Sequence, residues 1–200
     1  MTVREALEAR VSMQQYVPAE IPLAEVEELV RLAQEAPSSY NIQFTRFVAV
    51  SSPDAKRALR AAANDQPKVE AASVVFVLVG DLRAHEAYAT RQRAAAAAGT
   101  ISGELAERLA GGTQRAYGDA RMARDECCRS VGLSGMALML AAQERGWSSC
   151  PMIGFEPARV AAVLGLDDHQ VPLMMVAVGR GAAEQRRKPR LPVSDVLSVR

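Results

Sequence analysis

Gly146-Trp-Ser-Ser-Cys-Pro-Met-Ile-Gly-Phe-Glu-Pro157 is the stretch on which the chain turns. Immediately before it, Met136-Ala-Leu-Met-Leu-Ala-Ala142 is an uninterrupted apolar run in a helical segment. A helix apolar on every side is expected to be deeply buried. Gly146 falls where a left-handed glycine ends such a helix, and a short extended piece follows. Pro151 then fixes φ and lacks an N–H, while Gly154 has no side chain to keep a ligand from the backbone. The pattern predicts a buried helix that delivers main-chain amides to one place, where a planar ring or an anion could meet them. An ordinary helix-to-strand loop accounts for the same residues, and both readings stand at this point.

Working outward, Thr2 and Glu5 form a capping-box pattern ahead of a short first helix with Val3, Ala6, Leu7 and Val11 on one face. The following Arg10-Val-Ser-Met-Gln-Gln-Tyr16 is expected to become extended, so that Arg10 and Ser12, two positions apart, point the same way. Pro22 suits the first turn of a second helix carrying Leu23, Val26, Leu29, Val30 and Ala33, which Pro37 stops. The loop Ser38-Ser-Tyr-Asn-Ile-Gln43 is dense in short polar side chains at a helix end, a usual place for binding residues and for plain turns alike. Phe47–Ser51 reads as a strand, Ser52-Pro53 caps an alanine-rich helix ending near Ala63, and Asn64-Asp-Gln-Pro67 is a polar break. Ser73-Val-Val-Phe-Val-Leu-Val79 reads as a central strand buried on both faces. Helical but weakly amphipathic pieces follow over Ala84–Ala98 and Ser102–Ala110, and Gly111-Gly112 is expected to separate them from a long helix over Asp119–Arg145. Pro157 opens a helix through Leu164, and Leu173–Val178 is a second buried strand.

The bulk numbers exclude several classes. A chain of 200 residues that is 49% hydrophobic and 24% charged fits one globular domain over 1–200. A net charge of +1 gives no overall field to gather nucleic acid or acidic membrane. The N-terminus has no apolar signal region and no run of about 18 apolar residues is present, so a cytoplasmic location without membrane attachment is expected. Cys127, Cys128 and Cys150 lack the Cys-x-x-Cys spacing of zinc or redox sites and are expected to be reduced, buried thiols. His85 and His169 are the only histidines, neither clustered with other ligands, and no metal site is expected.

No Gly-x-Ser-x-Gly elbow is present, and Gly132-Leu-Ser-Gly135 lies inside the long helix. Gly179-Arg-Gly-Ala-Ala-Glu184 follows a strand but fails as a dinucleotide fingerprint, since Glu184 takes the third glycine's place and no apolar helix follows. What the chain offers instead is Arg10 with Ser12 near one end and Lys188 with Arg190 near the other, the latter in a basic run held extended by prolines. Together with the amide-rich loops at Ser38–Gln43 and Pro151–Gly154, these suit a phosphate and a flat ring. Such an inventory fits chemistry carried by a cofactor.

These ordered features identify a resemblance to the flavin-dependent nitroreductase family over almost the whole chain. It is carried by Ala9-Arg-Val-Ser-Met-Gln-Gln-Tyr16, Glu35-Ala-Pro-Ser-Ser-Tyr-Asn-Ile-Gln43, Gln66-Pro-Lys-Val-Glu-Ala-Ala-Ser73, the path from Leu138 to Gly154-Phe155, and Lys188-Pro-Arg190. The resemblance implies an α+β, nitroreductase-like fold with a mixed central sheet flanked by helices, assembled as an intertwined homodimer with FMN at the subunit interface. It implies that Arg10, Ser12, Lys188 and Arg190 hold the phosphate, that Ser38, Ser39 and Asn41 come from the neighbouring subunit, and that Gln66 and Lys68 meet the pyrimidine edge. Pro151, Met152, Ile153 and Gly154 would cover one face of the ring, with an amide of Ile153 or Gly154 donating toward N5. Val11 and Gln14 stand where many members carry basic residues, which implies fewer charges on the phosphate. Phe44-Thr45 replaces a common Pro-Trp, and Ile153 a position that is often acidic.

The implied activity is NADPH- or NADH-dependent reduction of a small-molecule acceptor, a nitroaromatic, a quinone or an activated alkene, by hydride transfer through flavin N5, with no side chain required as acid or base. The same scaffold is also implied for dehalogenases, flavin-cleaving enzymes and heterocycle oxidases. A flavin-binding protein without turnover is the reading from another class.

Overall fold

The computed structural model describes residues 1–182 and 184–200. Thr2 caps α1 (Val3–Ala9) through the predicted box, its hydroxyl accepting from the Glu5 amide while Glu5 reaches back to the Thr2 amide. The helix stops at Ala9, because Arg10 turns extended, so Val11 belongs to the next segment and not to the helical face. That segment runs beside the sheet to β1 (Tyr16–Val17). Helix α2 (Leu23–Ala33) ends four residues before Pro37, and a 3-10 turn at Ser39–Asn41 leads into β2 (Thr45–Val50), which starts two residues earlier than expected.

Next come α3 (Pro53–Ala62), a one-turn helix α4 (Pro67–Ala71) where the sequence reads only as a polar break, and β3 (Val74–Asp81). Every residue of β3 is buried, as a near-continuous β-branched run requires of a strand covered on both faces. Helix α5 (Ala84–Ala97) is followed by α6 (Gly103–Tyr117), which passes straight through Gly111 and Gly112. The expected break is overridden by packing: Ala106, Ala110, Thr113 and Tyr117 recur at helical spacing and are all buried. Helix α7 (Ala120–Glu144) is the long one, and Gly146 with φ 75° turns the chain out of it into β4 (Ser148–Met152). Of its apolar run, Leu138, Met139, Ala141 and Ala142 are buried, whereas Met136, Ala137 and Leu140 are half-buried in the single chain. Helix α8 (Pro157–Leu164) and the long β5 (Gln170–Gly181) complete the core.

The sheet is five-stranded with order β1-β5-β3-β2, and β4 also pairs with β5. All the strand pairs named are antiparallel; the parallel component that makes the sheet mixed is the bridge between Ser12 and Ser149. One face of the sheet packs on α3 and α8 through Leu59, Val160, Met175 and Ala177. The other packs on α2 and α7 through Leu29, Phe76, Leu138 and Val176. The glycines that mimic a dinucleotide fingerprint have a packing reason instead. A Cβ on Gly179 would come within 2.8 Å of the Tyr16 ring, and one on Gly181 would collide with Met13. They let the Met13–Tyr16 segment cross the end of β5 at close range; Ala183, within that motif, lies outside the described residues. Among the described residues no helix is long and apolar enough to cross a membrane.

Candidate functional site

The site is organised by the segment between α1 and β1. Ser12 bridges Ser149, and the Met13 amide donates to the Ser149 carbonyl at 3.0 Å, so this segment lies along β4. On its other side the Ala182 amide donates to the Gln15 carbonyl at 2.9 Å, which brings the tail after β5 alongside. Three stretches remote in sequence thereby meet at one edge of the sheet.

At the first end of this edge Arg10, Val11, Ser12 and Gln14 line a cleft of about 270 Å³ with Gln185, Arg186, Arg187, Lys188 and Arg190. Nη1 of Arg10 is sealed from solvent and has no hydrogen-bond partner. A buried cationic N–H without an acceptor is costly, and it leaves the guanidinium with a positive charge that nothing in the chain neutralises at that atom. The sequence-predicted quartet Arg10, Ser12, Lys188 and Arg190 is thus brought together. Arg186 and Arg187 were missed as site residues although they stand in the same basic run, and they offset the charges that Val11 and Gln14 lack. Nη1 of Arg190 donates to the carbonyls of Lys188 at 3.2 Å and Pro189 at 3.4 Å, folding the tail onto its own guanidinium.

Farther along, Gln14 is a relay. Its amide nitrogen donates to the Ser12 carbonyl at 3.2 Å and to Cys150 Sγ at 3.6 Å, and its carbonyl accepts from Lys68 Nζ at 3.1 Å. This fixes Lys68, on α4, against the cleft's inner end. Below it Tyr16 is buried with its hydroxyl donating to the Ala177 carbonyl at 3.0 Å, and burial pushes its phenol well above the ordinary range.

The third part is the β4 exit. The Gly154 carbonyl accepts from Gln66 Nε2 at 2.7 Å and from Asn64 Nδ2 at 3.2 Å, which anchors the Gly154–Phe155 peptide, and the Phe155 amide turns back to the Ile153 carbonyl at 3.0 Å. Asn64 is a functional neighbour that sequence reasoning missed; its φ of 52°, with 51° at Asp65, makes the polar break a left-handed turn. A Cβ on Gly154 would meet nothing of the chain closer than Gln66 Nε2 at 3.4 Å, so the fold itself leaves room there. Strand alternation divides the rest of the predicted quartet. Met152 turns into the core and offers only backbone, Pro151 is half-buried, and Ile153 is 78% exposed. The expectation that Met152 helps to cover a ligand face is therefore limited to its main chain.

Ser38, Ser39 and Asn41 lie elsewhere. Ser38 Oγ accepts from the Gln43 amide at 2.8 Å, Asn41 Oδ1 accepts from Gln43 Nε2 at 3.3 Å, and Ser39 Oγ accepts from the Tyr117 hydroxyl. They share no hydrogen bond with the cleft or with the β4 exit among the described residues. His85 and His169 line a different cavity of about 290 Å³ between α5, α6 and α7, and among the described residues no group of three or more His, Cys, Asp or Glu is arranged to hold a metal ion.

Comparison with known proteins places the chain by sequence and by fold. The nitroreductase family model matches residues 7–180. The chain is 34% identical over 177 residues to Bacillus subtilis MhqN, described as an NAD(P)H nitroreductase, with 86% of each chain covered. It is 36% identical over 194 residues to an NADH dehydrogenase of Thermus thermophilus, covering 94% of this chain and 91% of that one. A protein of Exiguobacterium sibiricum described as a nitroreductase, solved in complex with FMN, superposes with a TM-score of 0.91 at 28% identity, covering 100% of this chain and 98% of that one.

Proposed function

The chain belongs to the nitroreductase family, and from that premise we propose that it is an FMN-dependent oxidoreductase that draws electrons from NADPH or NADH and passes them to a nitroaromatic, a quinone or an activated alkene. The observation that carries the reading is one cleft lined by five cations, Arg10, Arg186, Arg187, Lys188 and Arg190, together with Ser12. A phosphate monoester is the dianion such a set of donors suits.

FMN, when bound, supplies hydride acceptance at its N5 and onward electron transfer, so the chain need provide no acid or base for that step. Arg10, Ser12 and the tail cations hold the phosphate, and Val11 and Gln14 line the wall beside it. Lys68, pinned by Gln14, would present a donor to the pyrimidine edge, and Gln66, whose amide N–H groups are taken by the Ala63 and Gly154 carbonyls, would present Oε1 as an acceptor. The Gln66 and Asn64 amides grip the Gly154 carbonyl and fix the Gly154–Phe155 peptide, which would hold the neighbouring Ile153 and Gly154 amides in place as preorganised donors toward the ring. Ser38, Ser39 and Asn41 are supplied by the partner subunit of a homodimer, which agrees with their separation from the other donors within one chain. A bound flavin would serve both substrates from one pocket, with their positioning and the exclusion of water as the protein's contribution.

Steady-state assays of nicotinamide oxidation with each acceptor class test the proposal. The expected result is turnover with parallel double-reciprocal lines, the signature of substrates that alternate in one pocket. Loss of neither NADH nor NADPH with any of the three classes would overturn it.

A further inference from the structure

The loop Ser38–Gln43 holds a conformation that its own residues disfavour. Tyr40, Asn41 and Gln43 have φ of 52°, 56° and 62°, all in the left-handed region and none of them glycine. Such a run persists only where the surroundings over-determine it. The surroundings that do so come from the excursion between β3 and α7, whose sequence carries little other signal. The Tyr117 hydroxyl, at the end of α6, donates to Ser39 Oγ at 2.5 Å, and the Tyr117 ring meets Phe44 edge-on at 5.1 Å between centroids. On α5, Nη2 of Arg91 donates to the Ile42 carbonyl at 3.2 Å. Ile42 and Phe44 are themselves fully buried among Ala84, Tyr88, Tyr117 and Cys127. The two buried residues anchor the turn, and the two hydrogen bonds set its orientation.

We infer that Tyr117 and Arg91 are positioning residues: α5 and α6 clamp the left-handed turn so that Ser39 and Asn41 are presented, already ordered, to the flavin of the partner subunit. This rests on the assignment of the Ser38–Asn41 turn to the partner's flavin. A turn clamped in advance does not have to be ordered when the ligand binds, and the saving appears as affinity. The turn and its clamp lie on one subunit while the cationic cleft they serve lies on the other, so the clamp acts across the interface.

The test uses the full-length protein and FMN, with Tyr117→Phe, Ser39→Ala, the double variant and Arg91→Met. Tyr117→Phe keeps the ring contact with Phe44 and removes one hydrogen bond. The expected result is an FMN dissociation constant raised roughly threefold to tenfold, the range for one hydrogen bond, with the melting temperature of the apoprotein unchanged and the visible circular dichroism of the bound flavin altered. In the Ser39→Ala background, Tyr117→Phe is expected to add nothing, because both changes break the same bond. Arg91→Met is expected to shift affinity in the same direction, and it decides the matter if Tyr117→Phe proves less stable. Unchanged affinity and unchanged dichroism in Tyr117→Phe and Arg91→Met, or effects of Tyr117→Phe and Ser39→Ala that multiply, would overturn the clamp while leaving the flavin assignment intact. A wild-type protein that holds no FMN would overturn the assignment beneath it and the clamp together.

Discussion

Arg10 concentrates the argument at the scale of a single residue. It caps α1 in extended conformation, which turns its side chain away from the helix and into the cleft where Nη1 has no partner. Replacement by Met should therefore leave the apoprotein at least as stable as before and weaken FMN binding by the value of one or two ionic hydrogen bonds, about 1.5–3 kcal/mol each. Titration of apoprotein with FMN, followed by flavin fluorescence, reads that as a dissociation constant at least tenfold higher. An equal loss of melting temperature without a loss of affinity would assign Arg10 to the fold instead. The sequence alone singles out Arg10, Ser12, Lys188 and Arg190, because guanidinium and ammonium groups flanking extended chain are legible from residue type. It does not single out Asn64, whose role depends on a left-handed turn that brings Nδ2 to a carbonyl ninety positions away in the chain.

Elements were read less evenly than residues. The buried strand β3, the long helix α7 and the cap at Thr2 follow from periodicity and cap chemistry. The passage of α6 through Gly111-Gly112 does not, since glycine's low helix propensity is outweighed by the buried face from Ala106 to Tyr117. That misreading supplies a prediction. A Cβ on Gly112 would meet nothing within 4 Å, so Gly112→Ala should raise stability by about 1 kcal/mol, measured by chemical denaturation; a decrease would mean that the glycine serves a contact outside this chain. Between elements, α2 is tied to the end of α7 by Glu25, which accepts from Arg145 Nε at 2.6 Å and Nη2 at 2.7 Å and from Trp147 Nε1 at 3.1 Å. The Arg145 hydrogen bond is the leading cause that holds the Glu25 carboxyl below its ordinary value of 4.5. A carboxyl lowered in the folded state contributes stability that is fully present above that value and is lost as pH falls through the folded-state value. Glu25→Gln should then be about 1–2 kcal/mol less stable near neutral pH, with the two proteins converging below pH 4.5. A constant gap in melting temperature from neutral to acid pH would contradict the ion pair's role.

The whole molecule presents apolar surface that one chain leaves uncovered. Leu191, Val193, Val196, Leu197 and Val199 in the tail are all exposed, as are Met122 and Leu133 on α7. An apolar hollow lined by Met1, Val3, Ala6, Leu32, Ala137, Leu140 and Ala141 opens beside the half-buried part of α7. Surface of this kind marks an interface, and it suits the homodimer proposed above, in which the partner supplies the Ser38–Asn41 turn. Light scattering should find a dimer. A chain ending at Arg190 keeps every cation of the cleft but loses the apolar tail, and it should dissociate at concentrations where the full chain stays paired. A full chain that is monomeric with flavin bound would contradict the shared site. From sequence, the dimer rests on resemblance alone; the fold adds that Ser39 and Asn41 share no hydrogen bond with the Arg10 cleft among the described residues.

On the proposed function, one edge of the sheet, completed by a second copy, holds FMN and lets a nicotinamide reduce it. The most direct measurement is the visible absorption spectrum of the purified protein supplied with FMN and desalted, then repeated without oxygen after addition of NADPH or NADH. Flavin bands that survive desalting and bleach with either nicotinamide are the predicted result. A colourless protein, or bound flavin that neither nicotinamide bleaches, would contradict the account.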